Sequence, residues 1–163
     1  MACNNQLIKV VTTTFIGLVR EEEGQADFQS LFKKSDEKHE QVKCAVCNEN
    51  TNHSKRIKYS CTPFTQFIFI RLNLSVDANN TNVRYNMKIK NFNPDKVKIP
   101  GMNEDFKLKS VIVHEQWSKA LVHYTCIVRN NETWLNISDS DCSPLNKLNE
   151  NMENYFLLLV EKI

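Results

Sequence analysis

The sequence predicts an α+β fold built predominantly from antiparallel strands. Three observations carry that expectation. Residues 67–74 (FIFIRLNL) alternate so that Ile68, Ile70, Leu72 and Leu74 share one face, the pattern of a half-buried strand. Apolar and β-branched residues fill 109–114. After a polar interruption, His123-Tyr124-Thr125 opens a second run that stops before Asn130-Asn131, as in two strands joined by a loop. The chain closes on 155–160 (YFLLLV), a continuous apolar run suited to a strand buried on both faces.

The remaining elements follow in chain order. Residues 7–20 are mostly β-branched or aromatic with Gly17 among them, which predicts one or two strands with a bend, and the threonine triplet at 12–14 disfavours helix. Glu21-Glu22-Glu23-Gly24 interrupts as a charged turn. Phe28, Leu31 and Phe32 then recur at helical spacing, while 33–40 is charged and expected to be an exposed loop. Residues 55–59 alternate weakly and Pro63 precedes the next strand. Residues 75–82 form an Asn-rich connection, 83–89 a further strand, and 91–101, with two prolines, a loop. A short strand at 133–137 delivers Ser138, Asp139 and Asp141 to its far end. Pro144 is expected to start a helical turn running to Leu148.

Composition narrows the function classes. A chain of 163 residues with 41% hydrophobic content is long enough for one domain with a real core. Twenty-one basic against 19 acidic side chains leave +2, without a basic cluster interleaved with aromatics, so no nucleic-acid surface is expected. No apolar run reaches a membrane span, and the N-terminus lacks a signal-peptide pattern, so an intracellular protein (cytoplasm or nucleus) is expected. Asn-x-Ser/Thr triplets start at Asn52, Asn73, Asn79, Asn131 and Asn136, as chance alone produces in so Asn-rich a chain. The six cysteines read as reduced thiols rather than a disulfide framework.

Chemistry concentrates in 106–139, where a strand-borne His123 can meet a hydroxyl or carboxylate of the neighbouring strand. This stretch resembles the histidine box of the ubiquitin-specific protease family of cysteine deubiquitinases. There an aromatic-x-Leu strand ends in His, and a loop leads to Gly-His-Tyr-Thr, then Trp and an acidic pair. The matching residues are Phe106, Leu108, His114, His123-Tyr124-Thr125, Trp134 and Ser138-Asp139.

The resemblance implies a papain-like cysteine proteinase fold, of which 1–163 would be a single partial domain. Residues 10–100 would form reduced fingers and palm strands, and 101–163 the histidine box and terminal palm strand. It implies thiol hydrolysis at the C-terminus of ubiquitin or a ubiquitin-like modifier, with His123 as general base and Tyr124 packed into the sheet. Ser138 stands where the family usually has Asp or Asn, and Asp139 follows it. Leu121-Val122 replace family glycines that admit the modifier's tail.

No counterpart of the family's cysteine box occurs in this sequence, and Cys3 is not followed by a helical apolar pattern. The nucleophile is therefore expected from an upstream segment or a partner that supplies the thumb. The alternative is an inactive, ubiquitin-binding pseudoprotease. At Phe28 the resemblance implies a strand where the spacing suits a helix, and both remain open. Cys44 and Cys47 have zinc-binding spacing but no strong accompanying pair, so no cofactor is expected; they read as the remnant of a zinc site, with zinc itself the alternative.

Overall fold

The computed structural model describes residues 13, 15–19, 25–36, 38–44, 46–55, 57–73, 88–116, 122–148 and 154–163. Strands β1 (Phe15–Val19) and β2 (Gln25–Asp27) precede the helix α1 (Phe28–Asp36), and β3 (Lys38–Lys43) and β4 (Asn50–Lys55) form a hairpin. Strands β5 (Phe67–Asn73), β6 (Lys88–Lys90) and β7 (Val97–Lys98) follow. The long β8 (Asp105–Gln116), β9 (Val122–Asn130), β10 (Thr133–Ser138), β11 (Asp141–Leu145) and β12 (Tyr155–Lys162) complete the chain.

The main sheet has eight strands in the order β1-β5-β12-β8-β9-β10-β11, with β7 also paired to β8. Only β1 runs parallel to its neighbour in this sheet; β5, β12, β8, β9, β10 and β11 pair antiparallel. The terminal strand sits in the middle, between β5 and β8, so the last apolar run of the chain joins segments far apart in sequence.

Alternation decides which side chains enter the core. Ile68, Ile70 and Leu72 of β5 are buried while Phe67, Phe69 and Arg71 face outward. In β8, Phe106 and Leu108 are buried and so are Val111 and Val113, which a strict two-residue period would separate. The register explains it: Leu159 pairs with Ser110 and Val160 with Leu108, so Lys109 is an extra residue in β8 and the phase flips across it. A second irregularity skips Phe156 and keeps both Tyr155 and Leu158 inside. The expectation that 155–160 is buried on both faces is corrected accordingly. Leu157 and Leu159 are half-buried, because the face they share with Phe67 and Phe69 is not covered among the described residues.

At α1 the helical spacing prevails over the strand that the resemblance implied. Phe28, Leu31 and Phe32 are buried on the face toward the sheet, and the Phe28 and Phe32 rings meet edge-on at 5.4 Å. Asp27 caps the helix. Its Oδ1 accepts from the Gln29 amide (2.9 Å) and the Ser30 amide (3.3 Å), and its Oδ2 accepts from the Asn91 side chain (2.8 Å).

Two further expectations are corrected. Residues 33–40 are not a loop: α1 continues to Asp36 and β3 begins at Lys38, since β3 finds a partner in β4 that local charge does not announce. The stretch from Pro144 is not a helical turn but part of β11, paired Leu135 to Pro144. Proline is tolerated there because β11 is an edge strand. The expected strand at 83–89 is seen as Lys88–Lys90, and its earlier residues, like 7–12, 21–24, 74–82 and Leu121, lie outside the described residues.

Candidate active site

The β8–β9–β10 meander assembles the site at one end of the sheet. Because Ile137 pairs with Cys126, Ser138 falls one rung further along, beside Thr125 and diagonal to His123. Odd-numbered residues of β9 share a face, so His123, Thr125 and Ser138 point the same way. The side chains meet: His123 Nε2 and Ser138 Oγ lie 2.8 Å apart in a half-buried setting.

This contact engages one nitrogen of the imidazole and is compatible with either tautomer. A neutral His123 either donates its Nε2 proton to the hydroxyl oxygen or accepts the hydroxyl proton. The hydroxyl orients the ring but brings no charge with which to stabilise an imidazolium.

Asp139 is placed apart from this pair. It lies in the two-residue turn between β10 and β11, with a left-handed φ of 50° and an exposed side chain. The turn, required for Ser138 to pair with Asp141, carries Asp139 out of the sheet. Cys3 lies outside the described residues.

Tyr124 departs from the expectation that it packs into the sheet: it is 46% exposed. Its ring meets buried His114 edge-on at 4.7 Å and Phe156 at 5.9 Å, and the Arg71 guanidinium lies 5.1 Å above the Phe156 ring. This chain of contacts ties β5, β12, β8 and β9 together on the face opposite His123. At the other end of the meander, Arg129 stacks on Trp134 (4.5 Å) and its Nη1 donates to Asp95 (2.7 Å). Neither cluster was anticipated from the sequence. Arg129 and Trp134 lie one pair in from the Asn131-Glu132 turn, and their cross-strand pairing could have been read from the hairpin register.

Among the described residues the thiols are distributed away from His123. Cys126 and Cys142 sit on either side of Ile137, on the face opposite the imidazole. Burial pushes the Cys126 thiol up, and burial followed by the nearby Glu104 carboxylate does the same to Cys61. None of the five described cysteines is in a disulfide. Cys44 and Cys47 occupy the tip of the β3–β4 hairpin. Among the described residues no three or more His, Cys, Asp or Glu side chains converge on one point, and no helix is long and apolar enough to cross a membrane.

A largely antiparallel sheet with a histidine at the end of its meander, and one small helix against it, defines the partial domain of a papain-like cysteine proteinase. The chain belongs to the ubiquitin carboxyl-terminal hydrolase family, whose sequence profile matches residues 7–159, and its fold is that of part of a ubiquitin-specific protease domain. A comparison with curated proteins finds no match.

Among solved structures, the yeast SAGA DUB module is similar with a TM-score of 0.68 at 16% identity, over 91% of this chain and 35% of that chain. A SAGA DUB module bound to monoubiquitin gives 0.62 at 15% identity, over 91% of this chain and 35% of that chain. An essential yeast splicing factor gives 0.59 at 14% identity, over 91% of this chain and 36% of that chain. At such identities the likeness is one of fold. The chain spans about a third of the length of the structures it matches, 35% and 36% in these cases.

Proposed function

We propose that this chain is the histidine-bearing part of a cysteine-type deubiquitinase, acting at the C-terminus of ubiquitin or a ubiquitin-like modifier with a thiol contributed from outside the described residues. The observation that carries this reading is the 2.8 Å contact between His123 and Ser138 at the end of β9 and β10. Membership of the hydrolase family supports it, as does likeness in fold to a DUB module that binds monoubiquitin.

In this reading His123 takes the thiol proton, and the thiolate attacks the carbonyl carbon of the modifier's last residue. The imidazolium returns the proton to the leaving amine, and water then hydrolyses the thioester. Ser138 holds the ring in place throughout.

A second reading has a specific observation behind it. An uncharged hydroxyl stands where a carboxylate would support the imidazolium, and one similar fold is described as a splicing factor. On this reading the domain binds ubiquitin without cleaving it.

A ubiquitin bearing a C-terminal electrophile separates the two. The protein in its longest expressed form should give a covalent adduct that His123→Ala abolishes. Ubiquitin binding by titration with no adduct in the parent protein would sink the hydrolase reading and leave the binding one.

A further inference from the structure

A cavity of about 660 Å³ lies beside the end of the β9–β10 hairpin that is remote from His123. His123 and Arg129 stand six residues apart on one strand, about 20 Å along β9, so this cavity is separate from the place of the proposed hydrolysis. Two connections bound it, 90–95 leaving β6 and 146–148 after β11, together with residues of the hairpin and the start of β12.

Among the lining residues, Arg129 is stacked on Trp134 with its guanidinium carbon 4.5 Å from the ring centre, and its side chain is only 6% exposed. A guanidinium keeps its charge when buried, so its removal from water has to be offset by acceptors. Only one is present among the described residues. Nη1 donates to Asp95 at 2.7 Å, and that carboxylate is itself 67% exposed, so solvent weakens the pair. Nε is buried with no hydrogen-bond partner, a costly condition for a donor. Nε and Nη2 form the edge of the guanidinium fork that can take two oxygens of one anion side by side. That edge is unfilled.

Charge and surface select the kind of anion. The basic side chains of Lys90, Arg129 and Lys147 line the cavity with the acidic ones of Asp95 and Glu132, a surplus of one positive charge. This balance suits a singly charged group, whereas a phosphate dianion meets two carboxylates at close range. Phe92, Leu148 and Trp134 add apolar wall, as in sites for organic ligands.

We propose that this cavity binds a carboxylate carried on an apolar body, either a free organic acid or the last residue of a peptide. Its two oxygens take the Nε–Nη2 edge of Arg129, and its body lies against Phe92 and Leu148. Nε is closed to water as the structure stands, so the guanidinium slides along the Trp134 face to meet the ligand. Lys90, exposed and lining the same cavity, draws the anion in from solution.

The test is a binding measurement with no ubiquitin and no thiol reaction, so it stands or falls apart from the hydrolase reading. The full chain, labelled with ¹⁵N, is titrated with N-acetylphenylalanine and followed by NMR. The Arg129 Nε–H and Trp134 indole signals should move together and saturate. The carboxamide of the same ligand, which lacks the charge, should bind about tenfold more weakly or worse. Arg129→Lys keeps the charge but loses the fork and should abolish the Trp134 shift. Lys90→Glu, at an exposed position that leaves the core intact, should weaken binding of the acid without altering the rest of the spectrum. A pentapeptide ending in free phenylalanine separates the two sources: clearly tighter binding than the acid assigns a chain terminus, and no gain assigns a free acid. Equal binding of acid and carboxamide, inorganic phosphate binding as tightly as the acid, or no saturable shift at Trp134 overturns the proposal.

Discussion

The imidazole of His123 and the hydroxyl of Ser138 are joined by a single contact, and most of what can be tested about the site follows from it. Substituting Ser138→Asp places a carboxylate beside the ring, where it stabilises the imidazolium that forms in turnover. We expect adduct formation with the ubiquitin electrophile to quicken roughly tenfold, the factor conferred by ~1.4 kcal/mol. Ser138→Ala should slow it, and equal rates for all three proteins would show that the contact has no part in the chemistry. Thiol chemistry offers a check that needs no activity. Cys47 and Cys142 are exposed, whereas burial raises the Cys126 and Cys61 thiols. Timed alkylation near neutral pH, read by peptide mass analysis, should modify the first pair before the second. His123 and its partner were legible in the sequence because strand, turn and Trp134 lie close together along the chain. Asp139 sits in the β10–β11 turn, where its positive φ takes it out of the strand alternation that sequence reasoning relies on.

The helix α1 is held at its start by Asp27, which also anchors the Asn91 side chain. Removing that cap in Asp27→Ala should cost about 1–2 kcal/mol in urea unfolding. The hydrogen bond from Asn91, and after it those from the Gln29 and Ser30 amides, hold the Asp27 carboxyl below its usual range of 3.8. With the folded value depressed, this contribution is fully present above the unfolded pKa and is lost as pH falls through the lower, folded one. Asp27→Asn keeps much of the cap without the charge, so its stability should fall less steeply than the parent's below about pH 4. Parallel acid limbs would refute this. The spacing of Phe28, Leu31 and Phe32 suited a helix while the resemblance implied a strand, and neither the choice between them, the extension to Asp36 nor the role of β11 was readable. Pairing energy from a neighbouring strand outweighs the local preference of a charged or proline-bearing segment.

The whole sheet depends on one buried layer in which Ile70, Leu72, Leu108, Val111, Leu158 and Val160 meet. Adjacent residues of β5 offer a direct contrast. Ile70→Ala should lose about 2–5 kcal/mol, the cost of a cavity in a packed core. Phe69→Ser, one position away on the partly exposed face, should cost well under half as much although it removes a larger side chain. Equal losses in urea denaturation would mean that the outer face is buried by something beyond the described residues. The strand order places β12 between β5 and β8, so its truncation before Tyr155 should prevent folding rather than fray an end, with loss of the β-sheet circular dichroism signal as the readout.

By itself the sequence determined the strand-rich class, the inward face of β5 and the histidine box with its serine in the acidic position. These are written in periods of two or four residues and in motifs a few positions long, so each is set by near neighbours. Only the tertiary structure decided that β12 is central, that bulges at Lys109 and Phe156 shift the phase of burial, and that Tyr124 faces outward. It also decided that His53 pairs with Glu40, three rungs below the Lys43–Asn50 pair at the hairpin tip. Each of these depends on which distant strand pairs with which and in what register, and a register is a property of two segments that neither one carries alone.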